Sequence, residues 1–150
     1  MTVPSTGLGS VSLAMVLLCL ATLAGAAEIG QIKVSKGQVT IEREGKTLAG
    51  GVGVRVQTSD VVKTGVDSSV GITMDDDSLL SAGPNSVLSL DRYVFDPTTN
   101  QGRFDATLNK GTLAVISGRI AKQSPDAMTV RTPIAILGVR GTEFAVSADD

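Results

Sequence analysis

Glycine spacing limits what this chain can fold into more than any other feature. Gly30, Gly37, Gly45, Gly50, Gly51, Gly53, Gly65, Gly71, Gly83, Gly102, Gly111, Gly118, Gly138 and Gly141 cut it into pieces mostly the length of one strand. Between them, residues 32–34, 39–42, 52–56, 70–74, 87–90, 106–108, 112–116 and 128–130 carry short alternating apolar runs. Aromatic residues are 3%, so the 42% apolar content is mostly Val, Leu, Ile and Ala. That favours β-branched packing in short strands over a core of large rings. Residues 96–102 form the clearest long loop and residues 122–126 a second. No amphipathic helix is expected after Ala27. Apolar pairs recur roughly every nine or ten residues from Val52 to Leu90, which suits one strand and turn of a coiled sheet. The expectation is an all-β domain of many short strands, a solenoid-like β-roll, with a β-sandwich as the alternative.

Residues 132–146 are the most apolar stretch outside the N-terminus. Val130, Thr132, Ile134 and Ile136 share one parity, as do Phe144 and Val146, so each set predicts one buried strand face. Pro133 cannot donate to a ladder and marks a strand start or an edge. Gly138 and Gly141 bracket Val139 and Arg140, where a bulge or tight turn is expected. Two strands folded about that turn, with Arg140 at the bend, are predicted. Arg140 either offers its guanidinium to a partner or bonds turn carbonyls, Glu143 or a distant Asp. The structural role is favoured, because the paired glycines already imply a demanding backbone.

Composition removes whole classes of function. There is no His and no Trp, and the only cysteine is Cys19 in the N-terminal apolar run. Past that run there is no thiolate nucleophile, disulfide or Cys-ligated zinc, and no imidazole base for Ser-His chemistry. No enzymatic activity, cofactor or metal is expected. The net charge of -2, with no Lys/Arg run, argues against a nucleic-acid partner. Asp75, Asp76 and Asp77, near Asp60 and Asp67, lack the spacing of a calcium loop and read as a solvated turn. The glycine-rich residues 49–53 precede a strand rather than a helix, so they read as a turn or edge, not a phosphate loop.

Residues 11–27 are apolar, short for a membrane span, and end in small residues at Gly25, Ala26 and Ala27. This pattern resembles a secretory signal peptide. No Lys or Arg precedes it, the first basic residue being Lys33, so an uncleaved anchor is the alternative. Leu18 before Cys19 disfavours a lipid anchor. The expected division is a signal segment over 1–27 and one β domain over 28–150, a length that suits a single core.

A family resemblance covers almost everything after that segment. Gly37-Gln38-Val39 opens the pattern. Asp60, Thr64, Gly65 and Ser69 follow, then Pro84 and Ser86, then Gly111. The pattern closes on Thr132, Pro133, Gly138, Arg140, Gly141, Thr142 and Phe144. In this order the pieces resemble a FecR-type domain. Ser59 and Asp77 stand where the resemblance implies glycine, which changes turn chemistry. The resemblance implies the periplasmic part of a bacterial regulator, or a module that occurs alone in secreted proteins. Its motif residues are expected to be structural. A full regulator carries a cytoplasmic anti-sigma segment before its span, and only residues 1–10 precede the apolar run. The chain is therefore expected to be a non-catalytic exported module for protein interaction or envelope signalling. Alternatives are a structural, oligomerising envelope protein, or a membrane-anchored periplasmic part of a sigma-regulator-type system. Its partner is expected to be another envelope protein or a second copy of itself, in the periplasm or outside the cell. The membrane is met only through the N-terminal segment if that stays uncleaved. If the small-residue site is cut, intact mass of the envelope protein will place the N-terminus at Ala27 or Glu28; a full-length species would favour the anchor.

Overall fold

A computed structural model describes residue 2 and residues 26–139 and 141–149. The expectations for residues 3–25 and for Arg140 lie outside the described residues.

The glycine-bounded pieces form twelve strands. They are β1 (Glu28–Lys36), β2 (Val39–Arg43), β3 (Lys46–Ala49), β4 (Arg55–Gln57), β5 (Val61–Thr64) and β6 (Ser69–Met74). Then come β7 (Leu79–Ala82), β8 (Val87–Phe95), β9 (Gly102–Ile116), β10 (Met128–Thr132), β11 (Ala135–Gly138) and β12 (Glu143–Ala148). A short helix α1 (Arg119–Gln123) and a 3-10 turn (Pro125–Ala127) join β9 to β10. The central path runs β3-β2-β5-β8-β9-β7-β6-β1-β4, a curled sheet. The chain is all-β, with the curled-sheet architecture of a β-roll.

The curl turns on β9, a strand of 15 residues. Its first half pairs with β8 on one side and, in parallel, with β10 on the other. Its second half pairs with β7 and β12. One layer is therefore β3-β2-β5-β8-β9-β10-β11, and the other is β4-β1-β6-β7-β9-β12. Alternation does the rest: in β6, Val70, Ile72 and Met74 are buried while Ser69, Gly71 and Thr73 face out. Ile32, Ile72, Leu80 and Val115 of one layer share a single core with Ile41, Val62, Leu88 and Leu108 of the other. Each such fully buried side chain contributes about 1.5–3 kcal/mol.

Several expectations are corrected. Residues 106–108 and 112–116 are one strand, because Gly111 at φ +93° bends the chain without ending the ladder. The run at 52–56 becomes strand only from Arg55, and Val52 lies in an exposed turn. Residues 122–126 are partly helical; five residues of α1 are too few to show a helical period in the sequence. The largest correction concerns residues 132–146. β11 folds back on β10 through a turn at Pro133 and Ile134, and β12 departs to pair with β9 in the other layer. The two strands flanking Gly138 and Gly141 are not each other's partners. Ile134 and Ile136 are 95% and 67% exposed, not buried. The register explains this: Val130, which is buried, sits opposite Leu137, so Ile136 falls on the outer side.

Turn backbones match the glycine expectation in an instructive way. Ser59 and Asp77 adopt φ of 73° and 69°, a region that costs a side chain about 1–2 kcal/mol. Ser59→Gly should therefore raise stability by about 0.5–1 kcal/mol, the strain relieved less the entropy of a freer unfolded chain. Asp77→Gly should gain less, since it also removes an exposed ion pair with Arg119 at 3.2 Å. Chemical denaturation reads both; a lower midpoint for Ser59→Gly would contradict the strain argument.

Candidate functional site

The motif residues divide into clusters, and the largest is a stack of corners where the chain passes between layers. Residues 37–38 join β1 to β2, residues 65–68 join β5 to β6, and residues 83–86 join β7 to β8. Gly111 is the bend of β9 beside them. Corner residues carry backbone groups that no ladder uses, and here they bond to one another. The Gln38 amide donates to Ser68 Oγ at 2.8 Å, and the Gly65 amide to the Gln38 carbonyl at 2.9 Å. Asn85 N–H reaches the Gly65 carbonyl at 3.0 Å. Thr64 Oγ1 donates to the Gly83 carbonyl at 2.6 Å and accepts from the Ser86 amide at 2.9 Å. Ser86 Oγ accepts from the Thr112 amide at 3.0 Å. A Cβ on Gly111 would lie 2.1 Å from that same Oγ. Thr64, Gly65, Pro84, Ser86 and Gly111 thus meet at one end of the roll. Gln38, Ser68, Gly83 and Thr112 complete the network.

Asp60 is the second cluster. It is buried between β4 and β5 and takes a two-pronged bond from Arg43, Nε at 2.8 Å and an Nη at 2.7 Å. The Gln57 amide adds a bond at 2.7 Å. The bond to Asp60 outweighs desolvation and raises the pKa of Arg43 above its ordinary value, so the guanidinium stays charged.

Asp76 forms the third. The expectation of a solvated turn is wrong at this residue: Asp75 and Asp77 are exposed, but Asp76 is fully buried. Its carboxylate accepts from the Ser78 amide at 3.1 Å and the Ser78 hydroxyl at 2.8 Å. It also accepts from Tyr93 OH at 3.1 Å and the Ile120 amide at 3.2 Å, while its carbonyl takes the Arg119 amide at 2.7 Å. These bonds hold the β6–β7 turn, β8 and the first turn of α1 in one knot. Burial first, then the Asp76 charge, pushes the Tyr93 phenol well above its ordinary pKa, so it stays a donor. The local signal was present: Asp bonding the amide two residues on is a turn signature. Its burial was not legible, because Tyr93 on β8 and Ile120 on α1 arrive from far along the chain.

The remaining motif residues do not join these clusters. Ser69 opens β6 and faces outward. Thr132 Oγ1 accepts from the Ala135 amide at 3.1 Å, across the turn that holds Pro133. Gly138 ends β11 in open space, and Gly141, at φ +101°, also has open space around it. The carbonyls of Gly141 and Thr142 accept from the Ser117 hydroxyl and amide at 3.0 and 2.7 Å. Phe144 is half-buried against the core. Among the described residues, no three acidic, His or Cys side chains gather to hold a metal. No helix among them is long and apolar enough to cross a membrane.

The clusters make separable predictions. Gly111→Ala meets both a left-handed backbone and Ser86, and should cost about 2–4 kcal/mol. Asp76→Ala strands buried donors and should cost about 3 kcal/mol or more. Asp75→Ala, which loses only an exposed pair with Arg55 at 3.2 Å, should cost under about 1 kcal/mol. EDTA should leave the wild-type melt in place, and a drop of many degrees would show a metal held by these acids.

The family model described as FecR protein matches residues 60–150, from the buried Asp60 through the C-terminal strands. No match is found among curated proteins or among solved structures. The matched stretch covers more than half of the chain and contains most of the corner stack, the Asp76 knot and the shared strand β9; the chain belongs to the FecR family, a regulatory and signalling family.

Proposed function

We propose that this chain is an exported, non-catalytic FecR module that works in envelope signalling by docking another envelope protein. The family match over residues 60–150 carries the reading. The internal use of the acids supports it further. Asp60 and Asp76, the buried carboxylates, are committed to bonds that hold turns, which leaves recognition to surfaces and strand edges. The strand order leaves one edge of β11 unpaired among the described strands. β11 has no charged residue of its own, and Ile136 on it is largely exposed. Such an edge suits addition of an extended strand from a partner, whose backbone supplies the hydrogen bonds. Export is supported by the start of β1 at Glu28, directly after the small-residue site.

A photo-crosslinking residue at Ile136, in cells fractionated afterwards, tests this. One envelope protein should be captured from Ile136 and not from the same probe at Glu42, and Ile136→Lys should reduce that partner's recovery at least 10-fold without moving the melt. Recovery of the chain in the cytoplasmic fraction, or no capture specific to Ile136, would overturn the reading.

A further inference from the structure

The two outer faces of the roll differ in charge. On the layer containing β2, β5 and β8, Glu42 pairs with Lys63 at 2.7 Å and Arg103 with Asp105 at 3.1 Å. The outer face of the other layer has a different character. Its middle row crosses five strands as Val34, Gly71, Ser81, Ala114 and Ala145. The adjoining row reads Gln31, Thr73, Leu79, Ile116 and Glu143. Between its margins, on β6, β7 and the second half of β9, no outward residue is charged.

The margins carry opposite charge. Lys33 and Lys36 lie on β1, where Glu28 is already paired with Arg55 of β4 at 3.1 Å, and Glu143 lies on β12 at the far side. A bulge between Ile32 and Val34 leaves both Lys33 and Val34 exposed, and Lys33 Nζ bonds Gln31 Oε1 at 3.0 Å. Glu143 has no cationic partner among the described residues.

We propose that this face binds a second copy of the chain, face to face, about a two-fold axis running along the strands near β7. Such an axis lays each row over itself in reverse order. Glu143 then stands over the partner copy's Gln31 and Lys33, and the symmetric pair forms at the opposite margin. The same operation sets Val34, 57% exposed, over Ala145, where a shallow depression is lined by Ser81, Ala114 and Ala145. Leu79 meets its own copy at the middle, and Ile116 lies over the partner copy's Thr73. Strands stay nearly aligned, as in packing of twisted sheets. A face with cations on one margin and an anion on the other is complementary to itself, and that singles out a second copy. A sugar would want an aromatic platform, and none lies on these rows. With a third row that includes Lys36, Ser69, Thr112 and Ser147, five strands about 4.8 Å apart and three rows about 7 Å apart give on the order of 400 Å² per copy. That is about half of what each partner gives a standard interface, so the dimer should be weak, with Kd roughly 10–100 µM.

The proposal rests on the interaction reading above and deepens it, but uses a different surface from the β11 edge. Sedimentation velocity of the full chain over a concentration series tests it. The wild type should shift from monomer to dimer within that range. Ser81→Arg, at the centre of the face, should raise Kd at least 10-fold. Lys33→Glu and Glu143→Lys should each raise it roughly 3–10-fold, and the double swap should return it to within about 2-fold of wild type. All these side chains are exposed or lie at the margin, so melts should not move. A monomer at every concentration overturns the proposal. So does association indifferent to Ser81→Arg, which would place it elsewhere, or a double swap that fails to restore it. None of these results touches capture at Ile136, which tests the interaction reading separately.

Discussion

Gly111 is the constraint on which the roll depends. One strand serves two layers only if it bends without losing its ladder, and β9 does so at a single residue with φ +93°. The bend is possible because glycine has no Cβ to meet Ser86, whose hydroxyl instead accepts the next amide in the strand, that of Thr112. Ser86 is held in turn by Thr64, whose hydroxyl bridges the Ser86 amide and the Gly83 carbonyl. The corners thus form one connected polar column beside an apolar core. The corner amides and carbonyls that no ladder uses find partners in one another, which is the condition for placing corners against a core.

The buried aspartates extend the same logic to the other turns. A carboxylate accepts several bonds at once, so Asp60 and Asp76 each gather backbone and side-chain donors from elements that do not pair with each other. Burying such a charge is costly unless its bonds are complete, and here backbone amides and side-chain donors supply them together. Asp76 in particular ties the helix after β9 to the β6–β7 turn. Acids used in this way serve the fold.

Sequence and structure part company where long-range register decides the outcome. The motif at Thr64, Gly65, Pro84, Ser86 and Gly111 is legible as turn chemistry, yet nothing local says that these turns touch. Ile134 and Ile136 show the converse. Their alternation continues that of Val130, but the Pro133 turn intervenes, and the pairing of Val130 with Leu137 puts them outside. Alternation identifies a strand; it does not carry its phase through a turn. The aspartate run has the same limit, since only the arrival of Tyr93 and Ile120 separates Asp76 from its exposed neighbours.

By itself the sequence determined the class. Glycine spacing, β-branched composition and period-two runs require short strands, and the order of turn motifs points to the FecR family, because these are local properties of backbone and side chain. Tertiary structure decided what those strands do. It made two predicted strands into one at Gly111, sent β12 to the opposite layer from β11, buried one aspartate of three, and left one outer face charged and the other bare between oppositely charged margins. Each of these depends on which distant strand lies alongside. Hydrogen-bond register sets that choice across the whole sheet, and no short stretch of sequence contains it.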